Sequence, residues 1–86
     1  MNEQSVDFEL SVFNESGRLR LSWNTLDVSR VSVTDLTGKQ LFDSGDLVNV
    51  SEIGFQTSSW ASGPYQVILY SADKDPVSRR IFVQGR

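Results

Sequence analysis

The sequence predicts an all-β domain, a small two-sheet antiparallel sandwich of about seven short strands. Three observations predict it. Apolar and polar residues alternate with period two along most of the chain. Clusters of Gly, Asn, Asp, Ser and Pro interrupt that alternation at roughly 8–12-residue intervals. Apolar residues at helical spacing are almost absent. A small barrel is the competing architecture.

Each element follows from its pattern. Phe8, Leu10 and Val12 alternate with Asp7, Glu9 and Ser11, and Leu19, Leu21 and Trp23 alternate with Arg18, Arg20 and Ser22. The turn formers Asn14-Glu15-Ser16-Gly17 lie between them, so the pair reads as a hairpin. Val31 and Val33 alternate with Arg30, Ser32 and Thr34, then reach Asp35-Leu36-Thr37-Gly38 and a partner strand Lys39–Phe42. Gly38 is expected to take a positive φ there. After the turn Asp43–Asp46, Leu47–Val50 and Glu52–Gln56 read as one broken strand or two short ones. Thr57–Pro64 reads as a loop with one helical turn near Trp60. Tyr65–Tyr70 is apolar on both faces and reads as a central strand. Ala72–Pro76 is a polar turn, and Val77–Val83 is the last strand, with Ile81 and Val83 inward and Arg80 and Phe82 outward.

Composition excludes several function classes. A chain of 86 residues is a single domain. Such a domain buries roughly 60–65% of its unfolded surface, leaving little room for a deep pocket. The chain contains neither Cys nor His. That removes disulfides, thiol nucleophiles and zinc–thiolate sites, and with them the usual general base and a Ser-His-Asp triad. The net charge of −3 argues against a nucleic-acid partner. The first strand region is acidic through Glu3, Asp7, Glu9 and Glu15, while Arg79, Arg80 and Arg86 make the end basic. No transmembrane segment is readable. Met1–Ser5 lacks the basic start and apolar core of a signal peptide, so the chain reads either as cytoplasmic or as a fragment of a longer exported protein, and its abrupt opening into a strand favours the fragment.

Candidate chemistry reduces to little. Asp35–Lys39 lacks the first Gly and the last Ser/Thr of a phosphate loop, and strands flank it, so it reads as a hairpin turn. Asp73-Lys74-Asp75 is a poor calcium site with Lys between its carboxylates. The acidic residues are scattered, and nothing selects a hydrolytic pair. No enzyme, metal or cofactor is expected. Trp23 keeps phase with Leu19 and Leu21 and reads as core. Trp60, in a polar loop, either plugs one end of the sandwich or faces a glycan. Asn14-Glu15-Ser16 and Asn49-Val50-Ser51 match the acceptor pattern for N-linked sugars.

Three ordered segments carry a family resemblance: VSVTDLTGKQLF (Val31–Phe42), SGPYQVIL (Ser62–Leu69) and SRRIFVQ (Ser78–Gln84). Together they resemble the C-terminal sorting domain of the type IX secretion system of Gram-negative bacteria. That family shows Asp-Leu-x-Gly-Lys/Arg between strands, then Ser/Ala-Gly-x-Tyr entering a strand, then a basic and apolar last strand. The resemblance covers the chain from about Leu10 onward. It departs at Phe13-Asn14-Glu15, where the family often has Pro-Asn-Pro and only the Asn survives.

The resemblance implies an immunoglobulin-like sandwich that serves as an address. It would be read by an outer-membrane translocon after export to the periplasm. A sortase or attachment protein would then fix the cargo to anionic lipopolysaccharide at the cell surface, or the domain would be retained in the machinery. Cleavage would fall around Met1–Val6 or upstream. The residues carried over for partner recognition are Gly38, Lys39, Gly63, Tyr65, Arg79, Arg80, Ile81 and Val83. The last strand is the expected edge, open to strand addition or an edge-paired dimer. The alternative function is an immunoglobulin-like adhesion, spacer or glycan-binding module, with Trp60 as the glycan contact.

Overall fold

The computed structural model describes residues 10–15, 17–24, 27–72 and 74–84, the side chain of Lys74 excepted. Its seven strands are β1 (Leu10–Glu15), β2 (Arg18–Trp23), β3 (Val28–Thr34), β4 (Gln40–Asp43), β5 (Glu52–Gln56), β6 (Gly63–Ser71) and β7 (Lys74–Val83). They form a three-stranded sheet in the order β1-β2-β5 and a four-stranded sheet in the order β4-β3-β6-β7. Every neighbouring pair is antiparallel. This is the predicted all-β, immunoglobulin-like antiparallel sandwich.

The period-two pattern decides which side chains fill the space between the sheets. From the three-stranded sheet come Leu19, Leu21 and Trp23 of β2 and Phe55 of β5. From the other come Val28, Val31 and Val33 of β3, Tyr65, Val67 and Leu69 of β6, and Ile81 and Val83 of β7. Strand β6 lies between β3 and β7, so it is central, as its apolar faces predict. Pro64 is tolerated near its start because pairing with β3 ends at Gln66, and Pro64 faces only Phe82 of β7.

The two open sides of the sandwich are closed by different means. On one side the Asn14 side chain of β1 reaches the last strand: its Nδ2 donates to Phe82 O at 3.0 Å, and its Oδ1 accepts from Gln84 N at 3.2 Å. The carboxamide thereby satisfies one carbonyl and one amide of a strand edge. On the other side Phe42 of β4 stacks on Phe55 of β5, with ring centroids 4.2 Å apart and planes 13° apart. Trp23 closes the end near the crossover between sheets. Its backbone N donates to Ser51 O, and its indole Nε1 donates to Val50 O, each at 2.9 Å.

Three local expectations are corrected. Leu47–Val50 is not a strand; Leu47 N donates to Ser29 O at 2.8 Å, and the chain then leaves for the other sheet. No helical turn forms near Trp60, where a single reverse turn has Trp60 N donating to Thr57 O at 2.9 Å. The strand β7 begins at Lys74 rather than Val77, because Lys74 pairs with Ser71 and the turn is correspondingly tighter. An edge strand tolerates Pro76, whose missing N–H spoils no ladder on its open side.

Packing yields a contrast that can be measured. Leu69 is fully buried, so Leu69→Ala is expected to cost about 2–5 kcal/mol in chemical denaturation. Thr57 is also fully buried, yet its Oγ1 has no hydrogen-bond partner among the described residues. Thr57→Val is therefore expected to be neutral or to stabilise by up to about 1 kcal/mol, by removing a desolvated hydroxyl. A loss of stability above that size would show that the hydroxyl is satisfied in solution.

Candidate functional site

The turn between β3 and β4 is built by its own acid. The Asp35 Oδ1 accepts from Thr37 N at 2.9 Å, from the Thr37 hydroxyl at 2.6 Å and from Lys39 N at 3.0 Å. Backbone bonds close the same loop, Asp35 N to Lys39 O at 2.9 Å and Gly38 N to Asp35 O at 3.1 Å. Gly38 takes φ 95°, a region that a side chain resists. The Thr37 hydroxyl, the Lys39 and Thr37 amides and the charge of Lys39 hold the Asp35 carboxyl below its ordinary pKa. Asp35 and Gly38 are thus the structural part of the motif, and Lys39 is the side chain the turn presents. Lys39 is exposed and makes no ion pair among the described residues.

The loop before β6 comes to the same end of the molecule. Gly63 heads β6 with φ 153°. The Tyr65 ring is buried, and its hydroxyl donates to Ala61 O at 2.7 Å. A tyrosine at the start of the sixth strand bonded to the backbone just upstream is the corner that immunoglobulin-like sandwiches use to fix this connection. Trp60 lies half-buried against it, 5.2 Å from the Tyr65 ring centroid and 5.6 Å from that of Phe55. Trp60 therefore packs partly against the end of the core while the rest of its surface stays exposed.

Between the turn and the loop is an open groove of about 340 Å³, lined by Asp35, Lys39, Leu41, Ser59, Trp60, Ala61 and Tyr65. Lys39, Tyr65 and Trp60, selected from the sequence, meet here; Gly38 and Gly63 shape the approaches without lining it. Asp35 was legible only as a motif letter. Its spacing before Thr37 and Lys39 is the signal of a side-chain-closed turn.

The other selected residues lie on β7, at the edge of the four-stranded sheet. Ile81 and Val83 are buried, so their side chains hold the strand to the core. Arg79 and Arg80 are exposed, and neither meets a carboxylate among the described residues. Arg79 Nη1 donates to Ser78 O at 3.1 Å. Phe82 is 58% exposed. Strand β6 connects groove and edge, with Tyr65 opposite Ile81 and Gly63 opposite Val83.

Sequence reasoning missed the structural use of Asn14. As a glycan acceptor it would carry a sugar on Nδ2, the atom that donates to Phe82 O. Asn49 lies exposed in the crossover at φ 55°. The expectations placed on Met1–Val6, on Glu3, Asp7 and Glu9, on Asp73 and on Arg86 fall outside the described residues. No family model matches this chain, and no curated protein matches it.

A second charged contact pins the outer face of the four-stranded sheet. Arg30 donates from Nε to Asp43 Oδ1 at 3.0 Å and from a terminal nitrogen to Asp43 Oδ2. Its guanidinium lies 5.6 Å from the Tyr70 ring centroid. The Arg30 hydrogen bonds, with the Gly45 amide, hold the Asp43 carboxyl at about 2, against an ordinary 3.8. Both Asp35 and Asp43 bind protons less readily folded than unfolded. Their stabilisation is complete above the unfolded value and is lost as pH falls through the folded one. Denaturation midpoints are therefore expected to drop between about pH 4 and pH 2, and Arg30→Gln should flatten part of that decline. An unchanged slope in this variant would remove the pair from the acid response.

Proposed function

We propose that this chain is a sorting and attachment domain of the type IX kind, carried at the C-terminal end of an exported protein and without catalysis of its own. The observation that carries the reading is convergence. The Asp-Leu-Thr-Gly-Lys turn and the Ser-Gly-Pro-Tyr entry, two of the segments bearing the family resemblance, flank one groove. The third segment supplies the adjoining sheet edge. A translocon that reads a folded shape would find a groove at one end of the sandwich and, running away from that end, the β7 edge.

The physical basis of reading is the β7 edge. Pro64 cannot donate to Phe82, and Asn14 bonds Phe82 O and Gln84 N from outside the sheet. The alternating pattern of an antiparallel ladder then turns the N–H and C=O groups of Ser78 and Arg80 outward as well. A partner strand added there gains backbone hydrogen bonds, and its side chains meet Arg79 and Arg80. Those guanidinium groups suit carboxylates of a translocon or phosphates of a lipopolysaccharide through paired hydrogen bonds. Arginines on an edge also deter uncontrolled strand pairing, so the same charge serves solubility.

A transplant tests the reading. The chain is fused to the end of an exported fluorescent reporter in a bacterium with the type IX pathway, beside a version lacking Ile81–Arg86 and a full-length version carrying Arg79→Ala and Arg80→Ala. Surface display by the full-length fusion alone is the expected result, with display reduced in the double-arginine variant, and reporter size shows whether the domain is removed. Retention of a folded full-length fusion in the periplasm would return the domain to the adhesion or spacer class. Solution mass across a concentration series tests the edge-paired dimer, which a constant monomer mass would eliminate.

A further inference from the structure

We infer that the groove between the β3–β4 turn and the loop before β6 is a binding site for a neutral pyranose sugar, with Trp60 as its platform. This goes beyond the sorting reading and stands or falls independently of it. The loop could close the end of the sandwich with any bulky apolar residue. A half-buried indole instead places an amphipathic ring beside polar groups, an arrangement that takes one flat, half-apolar ligand. Leu41, 36% exposed, extends the apolar floor.

The polar groups around that floor match hydroxyls. All three hydrogen bonds that Asp35 accepts within its turn fall on Oδ1. Its Oδ2 is left as an acceptor that costs the turn nothing to use. Lys39 supplies ammonium donors uncommitted to any carboxylate among the described residues. Ser59 adds a hydroxyl that donates and accepts. One carboxylate and one ammonium balance, so the groove carries no net charge to recruit an anion. A phosphate or uronate would gain Lys39 and meet Asp35. Neighbouring sugar hydroxyls, each both donor and acceptor, satisfy the two groups together. The turn is closed by its own hydrogen bonds before any ligand arrives, so little ordering cost opposes binding. The groove is open and shallow, which fits the end or branch of a surface glycan.

The test uses the whole chain, nitrogen-labelled, and follows its backbone and indole N–H resonances. Probes are methyl glucoside, methyl mannoside and methyl galactoside, with glucuronic acid and an Asp/Glu-rich peptide as comparators. The expected result is a saturable shift of the Trp60 indole and the Lys39 and Ser59 amides with at least one methyl glycoside. Trp60→Ala should abolish it. Lys39→Met, at an exposed position outside the core, should weaken it about tenfold, the loss of one charge-assisted hydrogen bond. If Trp60→Ala unfolds, Lys39→Met and Ser59→Ala carry the test. The inference is overturned if no glycoside moves these resonances saturably. It is equally overturned if the shifts persist in the variants, or if the groove answers only to glucuronic acid or the acidic peptide. Failure here leaves the reporter transplant untouched, because that experiment reads export and not sugar.

Discussion

Everything in this molecule depends on two short sheets burying each other's inner faces. With neither disulfide nor metal-binding Cys or His to assist, the free energy of folding must come from that one layer. Leu19 and Leu21 of β2 and Val67 and Leu69 of β6 are all fully buried in it. Alternation along each strand feeds this layer and leaves every second residue outside. The outward residues are then free for charge pairing, as in Arg20 stacked 4.3 Å over Phe13 with Glu15 and Glu52 each 3.7 Å away.

A two-sheet core leaves open sides, and the closures differ in chemistry. Phe42 on Phe55 closes one side with apolar area, continued by Trp60 and Tyr65. Asn14 closes the other with hydrogen bonds to the β7 edge. The aromatic side is dense and shaped, and the groove forms at its end. Among the described residues, the bonds on the amide side fall only at Phe82 and Gln84, at the end of β7. Closure therefore leaves two distinct surfaces, a groove at the aromatic end and the edge of β7.

The motif letters that suggested a function have structural duties first. Asp35 and Gly38 make a turn, and Tyr65 ties a strand entry to Ala61. Such duties explain why these residue types recur at such spacing in sandwiches, and why the motifs alone are weak statements about activity. Their bearing on recognition comes from what the turns deliver, namely Lys39 and the exposed part of Trp60 at one end of the sheet pair.

Alternation and turn residues specify the fold class and the two hairpins. Period two sets Trp23 in phase with Leu19 and Leu21 and turns Ile81 and Val83 inward, and all five are buried; for Tyr65–Tyr70, apolar on both faces, only the structure shows that Tyr65, Val67 and Leu69 are the inner set. The sequence also placed the turns, because Asp, Gly and Asn declare themselves locally. Alternation carries no information about which strands share a sheet, so the three-plus-four division was settled only by tertiary structure. The same holds for Asn14 meeting Phe82 across 68 residues, and for the Asp35–Lys39 turn meeting Trp60. Local chemistry fixes how each strand and turn is made; only the packing of one sheet on the other decides which turns become neighbours and which edge is left open.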